Sequence, residues 1–334
     1  MATSVISAFE EFQKDYVNLD SADSETAISS RNWLVNQIHA FPDKYTDFPA
    51  LYSEKDIFFG SFARKTKKRP LDDIDIMICL HGQGGYYYES TSSIKIVVSD
   101  NATGLKMLCY DNTNFLNSRK VINKIISLLN QVPQYEKAEI KRNQEAATVK
   151  LISYYWNFDI VPCFFTTEDY FGNTYYLIPD GYGDWKKTDP RKDRDRVRLT
   201  NKHHDGNVLN VIRILKYWNR RPTMPSMGSY LIENMILDYY NSPFISTASK
   251  YVDLEIPQLF LYIRDNVYSV VNDPKGIQGN INNLTEEEKN KIWDRANVDY
   301  YKANEARSLE SKHDNRGSIT KWREVFGGNF PQYG

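Results

Sequence analysis

The sequence predicts an α+β fold in which a mixed α/β half precedes a helical half. Short apolar runs rich in β-branched and aromatic residues, typical of strands, occur between residues 57 and 165. After residue 205, apolar residues recur at the three- and four-residue steps of helices. The 334 residues suffice for two lobes or one large domain. We expect two parts, residues 1–200 and residues 201–334.

The composition indicates a globular protein with no membrane span. Hydrophobic residues make up 41% and charged residues 25% of the chain, and no apolar run approaches the roughly 18 residues that a span needs. The N-terminus lacks the apolar core of a signal peptide, so we expect a cytoplasmic protein. The 42 basic and 43 acidic residues argue against a main role in binding long nucleic acid. Basic clusters at 64–69 and 186–202 favour a small anionic ligand such as a nucleotide.

The elements of the first half follow from its periodicity. Two N-terminal helices are expected within residues 5–41, and the strand Ile74–Leu80 is apolar on both faces, as in the centre of a sheet. Residues 172–195, rich in Gly, Pro and charge, are expected to form a loop. The remaining predicted elements are the strands 57–59, 93–99, 148–154 and 156–165, a short helix from Phe62 and a helix over 117–132.

The second half is predicted to be helical. The expected helices cover residues 208–220, 229–240, 255–271 and 285–306. Thr285 and Glu288 form a capping box that marks where the last of these helices begins.

A Gly-Ser turn and an Asp-x-Asp strand carry the chemistry. The strand 57–59 ends at Gly60-Ser61, where glycine permits close backbone approach to a phosphate and the serine hydroxyl donates. After residues 62–72, Asp73 and Asp75 are two apart on the next strand and therefore project from the same face. Two carboxylates beside a phosphate-binding turn can hold divalent cations against a triphosphate.

A third carboxylate is expected from a neighbouring strand. Asp159 is the only acid between Glu145 and Glu168 and lies in an apolar run. A charge in such a run is costly unless it is paired or bound to a metal. A salt bridge to Lys150 or Arg142 is the alternative to a metal site.

These motifs resemble those of the DNA polymerase β-like nucleotidyltransferases, and in particular the bacterial CD-NTases, relatives of cyclic GMP-AMP synthase and oligoadenylate synthase. The resemblance is carried by the Gly-Ser turn, by Asp-Ile-Asp-Ile and by Phe-Asp-Ile-Val-Pro. It extends over nearly the whole chain, because three later stretches also match: Ile212–Asn219 (IRILKYWN), Met227–Glu233 (MGSYLIE) and Trp322–Pro331 (WREVFGGNFP).

The resemblance implies a bilobal architecture with a polymerase β-like core in 1–200 and a helical nucleotide-binding lobe in 201–334. It implies that Asp73, Asp75 and Asp159 bind two Mg²⁺ ions, or Mn²⁺, and that Asp159 helps to deprotonate the attacking ribose hydroxyl. It also implies a role for each residue that contacts the nucleotide: Gly60 and Ser61 at the donor triphosphate, Lys216 and Ser229 at phosphates, and Tyr230 stacked on a base. From the residues alone, Lys216 could equally be a surface lysine and Tyr230 a core aromatic.

The implied activity is condensation of nucleoside triphosphates into a cyclic di- or trinucleotide second messenger in antiphage defence, with release of pyrophosphate. The alternatives are a CCA-adding or poly(A)-type enzyme acting on RNA, and a catalytically silent nucleotide sensor. The cysteines form no cluster that matches the zinc thumb of animal cyclic GMP-AMP synthase, which argues against activation by double-stranded DNA. The terminal Gly334 suggests co-encoded regulatory or ligase proteins as partners, as for some CD-NTases.

Overall fold

The computed structural model describes residues 2–90, 93–222 and 225–334. The chain forms two compact units that are each discontinuous in sequence. The helical unit comprises Met1–Asp20, Arg64–Pro70 and Lys192–Gly334, and the sheet unit comprises Ser21–Ala63 and Leu71–Arg191. The division expected from the sequence, a catalytic core in 1–200 and a nucleotide-binding lobe in 201–334, concerns function as well as structure. This division stays a prediction.

The described residues form helices and strands with the following bounds. The helices are α1 (Val5–Phe12), α2 (Ser21–His39), α3 (Phe41–Lys44), α4 (Gly60–Ala63), α5 (Thr103–Lys106), α6 (Ser118–Leu129), α7 (Pro190–His203), α8 (Val208–Asn219), α9 (Ser229–Tyr240), α10 (Val252–Asn266), α11 (Glu286–Ser311) and α12 (Asn315–Phe326). The strands are β1 (Ile57–Phe59), β2 (Asp73–Leu80), β3 (Tyr86–Glu89), β4 (Ile94–Val97), β5 (Glu139–Asn143), β6 (Ala146–Lys150), β7 (Asn157–Phe165), β8 (Tyr176–Pro179) and β9 (Trp185–Thr188).

The sheet unit is built on one mixed sheet. Its strand order is β1-β2-β7-β8-β9-β4-β3, and the β5–β6 hairpin joins through β6, which pairs with β7. Strands β2 and β7 are parallel, whereas β1 is antiparallel to β2. The later halves of both central strands are buried on both faces, as the continuous apolar runs predict.

The helical unit has its own aromatic core, which joins the two ends of the chain. Phe9 of α1 packs edge-to-face on Trp322 and Phe330, with ring centroids 5.0 Å apart in each case. A π-helical turn, Gln13–Val17, continues α1. In the part of the chain that the structure describes, no helix is long and apolar enough to cross a membrane.

Several sequence-based expectations are wrong. The predicted strand 148–154 is β6, which begins at Ala146 and ends at Lys150. Residues 172–195 are not a loop, because they contain β8, β9 and the first turns of α7. Buried Trp185 and Leu177 anchor these strands, although the surrounding charges hide the pattern. The third C-terminal helix is α10, which begins and ends earlier than predicted, and α12 was not predicted as a helix.

Candidate active site

The register of β2 and β7 places the three aspartates on one face of the sheet. Asp75 lies directly opposite Asp159, and Asp73 lies opposite Asn157. Neighbouring strands are about 4.8 Å apart, so these side chains are adjacent. Burial alternates along the start of β2, with Ile74 buried on the other face. The sequence-predicted carboxylates are therefore brought together.

Gly60 lies against this face at the end of β1. Phe59 of β1 pairs with Asp75 of β2, so Gly60, which follows Phe59, lies beside Asp75. Gly60 has φ +70°, and a β-carbon there would collide with the Asp75 carboxylate. Ser61 comes next, in the single turn α4, which begins at Gly60 rather than at Phe62. The glycine thus makes room for a carboxylate, a requirement that the sequence did not reveal.

Asp159 is held by a hydroxyl. Thr148 Oγ1 of β6 donates to Asp159 Oδ1 at 2.5 Å. Burial raises the pKa of Asp159, the Thr148 hydrogen bond lowers it, and the charge of Asp73 raises it. Within the described residues, Asp159 forms no ion pair with Arg142 or Lys150, so the salt-bridge alternative does not hold.

The donor set suits a hard divalent cation, because carboxylate oxygens are the ligands that Mg²⁺ prefers. Besides burial, the charge of Asp73, on the strand paired with β7, contributes to the raised pKa of Asp159. Among the residues that the structure describes, however, no three His, Cys, Asp or Glu side chains converge into a preformed metal site. The chemistry of the three carboxylates fits a divalent metal ion.

In the helical unit, Lys216 belongs to a buried ionic network. Glu233 accepts from Arg64 and from Thr66, each at 2.7 Å, and from Lys216. Lys216 Nζ also lies 3.3 Å from Thr66 Oγ1, and the residue is only 4% exposed. It is therefore not a surface lysine.

The pKa values of this network reflect its charges. Burial by itself raises the pKa of Glu233, but the charges of Lys216 and Arg64 lower it to about 2. Burial lowers the pKa of Lys216, and Glu233 opposes that change. Glu233 belongs to the Met227–Glu233 stretch that carries the family resemblance. Its three hydrogen-bond donors could not be predicted from the sequence and are seen only in the fold.

Ser229 and Tyr230 open α9. Ser229 is exposed, and the Tyr230 ring packs partly against the helical core. The Tyr230 hydroxyl donates to Asp193 at 2.6 Å, and Lys275 Nζ donates to it at 2.5 Å. The Lys275 ammonium also lies 4.3 Å from the ring centroid, while Asp273 pairs with Lys275 at 2.8 Å. A polar cluster therefore fixes the ring in place.

The second basic cluster, residues 186–202, is largely neutralised by acids. Ion pairs link Lys186 to Glu145, Lys187 to Glu89, Arg191 to Asp189 and Arg196 to Asp238. The expected positive potential of this stretch is correspondingly reduced.

Comparison with known proteins places this geometry in a family. A curated relative from Bacillus cereus (strain VD146), described as a probable cyclic nucleotide synthase, is 43% identical over 334 residues, covering 100% of this chain and 99% of the relative. The chain belongs to the bacterial CD-NTases. It is a nucleotidyltransferase, and a cyclic nucleotide synthase rather than an enzyme that extends RNA. No protein-family model matches the chain.

Solved structures agree with this CD-NTase fold. Escherichia coli MS115-1 CdnC with ATP aligns with TM-score 0.70 and 18% identity, covering 98% of both chains. The same protein in complex with HORMA-deltaN aligns with TM-score 0.69. Vibrio cholerae DncV, a cyclic AMP-GMP synthase, aligns with TM-score 0.57 and 12% identity, covering 84% of this chain and 70% of DncV. The predicted α+β, polymerase β-like fold is confirmed.

Proposed function

We propose that this CD-NTase condenses ribonucleoside triphosphates into a cyclic di- or trinucleotide, with release of pyrophosphate. The observation that carries the proposal is the face on which Asp75 lies opposite Asp159, beside Gly60. The reaction is attack by a ribose hydroxyl of one nucleotide on the α-phosphate of another. A second such attack, within the linear intermediate, closes the ring.

Asp73, Asp75 and Asp159 are the proposed metal ligands. Two divalent ions, Mg²⁺ or Mn²⁺, would lower the pKa of the attacking hydroxyl and neutralise charge on the leaving pyrophosphate. Asp159 is the proposed acceptor of the hydroxyl proton. Burial raises its pKa and Thr148 fixes one of its oxygens, both of which suit a base that must gain a proton.

Gly60 and Ser61 are proposed to hold the donor triphosphate. In the helical unit, Lys216 and Ser229 are proposed to contact phosphate oxygens. An ammonium group has three donors, and the contacts with Glu233 and Thr66 leave one for a phosphate. Tyr230 is proposed to stack on a base, with its orientation fixed by hydrogen bonds.

The cellular role is proposed to be second-messenger signalling in antiphage defence in the cytoplasm. CdnC has been solved in complex with HORMA-deltaN, which supports a regulatory protein as a partner of this chain too. Ligation through Gly334 stays a proposal. The backbone N–H of Gly334 donates to the Ala2 carbonyl at 3.3 Å, so a ligase would have to release it.

The decisive experiment incubates the purified protein with the four ribonucleoside triphosphates and Mg²⁺, followed by phosphatase treatment and mass spectrometry. A phosphatase-resistant cyclic product that is absent with Asp75→Asn would support the proposal and identify the bases. Elongation of an added RNA in place of a cyclic product would contradict it.

A further inference from the structure

A cavity of about 610 Å³ in the helical unit has a strongly basic lining. Lys68 and Arg69 contribute from the segment 64–70, and Arg220 and Arg221 from the end of α8. Asp15 is the one carboxylate of the described lining. We call this site the basic cavity.

Neutral groups, not acids, accept the hydrogen bonds of three of these cations, Lys68, Arg69 and Arg221. Lys68 Nζ donates to the Arg69 carbonyl at 3.0 Å, and Arg69 Nε donates to the Asn18 carbonyl at 3.0 Å. Arg221 donates to the carbonyls of Glu324 and Val325, at the C-terminal end of α12. Among the described residues, none of the four cations forms an ion pair, whereas the 186–202 cluster is paired throughout much of its length.

The cations also affect one another. Burial lowers the pKa of Lys68, and the positive charges of Arg220, Lys67 and Lys216 lower it further. Such mutual repulsion in a partly buried site is relieved by a bound anion.

The rest of the lining could contact a nonphosphate part of the ligand, such as a base or a sugar. Tyr16 and Tyr217 present aromatic surface, and Asn329 donates to the Tyr217 hydroxyl at 2.9 Å. The volume falls in the roughly 300–1,000 Å³ range of small-molecule pockets. Arginine and lysine together favour phosphate as the anion.

We propose that the basic cavity binds a phosphate-bearing ligand, either a free nucleotide or polyphosphate, or the phosphorylated end of a nucleic acid. Its Lys68–Pro70 wall lies in the chain segment that connects the Gly-Ser turn to Asp73. A ligand held by Lys68 and Arg69 therefore restrains the segment between the two sequence motifs of the active site.

The test is equilibrium binding of inorganic tripolyphosphate in EDTA, where a site that depends on divalent metal makes no contribution. The wild type is expected to bind one equivalent, and less tightly as salt is added. Lys68→Ala/Arg220→Ala is expected to bind at least about tenfold more weakly, since it removes two of the four cations that line the basic cavity. The matched control, Lys202→Ala/Lys312→Ala, removes two exposed lysines of the same unit and should bind like the wild type.

No binding by the wild type, or equal weakening in both double variants, would overturn the proposal. A 5′-triphosphate RNA oligonucleotide serves as the second probe. If the oligonucleotide binds at least tenfold more tightly than tripolyphosphate, the ligand of the basic cavity is a nucleic-acid end. If the two probes bind equally, the ligand is a free phosphate compound. The same measurement on Asp75→Asn should be unchanged, so the result is independent of the proposed catalytic activity.

Discussion

The carboxylate of Asp75 lies in the space that a β-carbon at Gly60 would occupy. The glycine of the Gly-Ser turn therefore accommodates a proposed metal ligand, in addition to its proposed contact with a phosphate. The Gly-Ser turn and the Asp-x-Asp strand are therefore in direct contact, through Gly60 and the Asp75 carboxylate.

Gly60→Ala should reduce cyclic nucleotide synthesis by more than about 100-fold, because a small displacement of a catalytic group is sufficient for such a loss. Gly172→Ala is the matched control. Both glycines have positive φ, near +70° and +77°, but Gly172 has open space around its missing β-carbon. An alanine at positive φ strains the backbone by about 1–2 kcal/mol, so both variants should lose this much stability. Only Gly60→Ala should also lose activity. Equal activities in a product assay would disprove the steric role of Gly60.

Asp75→Asn should lower product formation by more than about 100-fold while leaving the fold intact, because it removes a charge from the proposed metal site. Mass spectrometry of the product and far-UV circular dichroism measure the two properties. Substantial turnover by this variant would rule out Asp75 as a metal ligand.

Glu233→Gln should lower the free energy of unfolding by about 3–5 kcal/mol, because Arg64 and Lys216 would keep buried charges without their counter-ion. Urea unfolding monitored by tryptophan fluorescence gives this difference. Glu287→Gln, which breaks an exposed pair with Lys291, should leave the urea midpoint of unfolding unchanged, because solvent screens such pairs. Similar small losses for both would show that the network contributes little.

The difference in stability between the wild type and Glu233→Gln should depend on pH. The pKa of Glu233 is about 2 in the folded protein and about 4.5 when the chain is unfolded. Its contribution is therefore fully present above pH 4.5 and is lost as pH falls towards 2. Unfolding curves at several pH values should show the difference shrinking over this interval, and a constant difference would contradict the ion-pair interpretation.

Tyr230→Ala should reduce kcat/KM by about 10- to 100-fold, because stacking on a base contributes roughly 1–3 kcal/mol. Tyr230→Phe keeps the ring but loses the hydrogen bonds with Asp193 and Lys275. It should retain more activity than Tyr230→Ala if stacking is the main role. Equal losses in steady-state kinetics would instead assign the effect to the hydroxyl.

The sequence predicted the elements that have strong periodicity and the residues that belong to a motif. Ile57–Phe59 and Ser229–Tyr240 have their predicted bounds, and Asp75 meets Asp159 as expected. Contacts between distant residues were not predictable, because neither Thr148 nor Glu233 carries a local signal of its partner. Strands β8 and β9 were missed because each has four residues, too few for the alternation to be recognised among charges.

The joining of the chain's two ends has a consequence for biosynthesis. Phe9 is synthesised long before its partners Trp322 and Phe330. The sheet unit is complete in sequence by Arg191, so it can fold while translation continues. The Phe9 ring must instead wait for these partners, and chains that stop before residue 322 lack its contacts with Trp322 and Phe330.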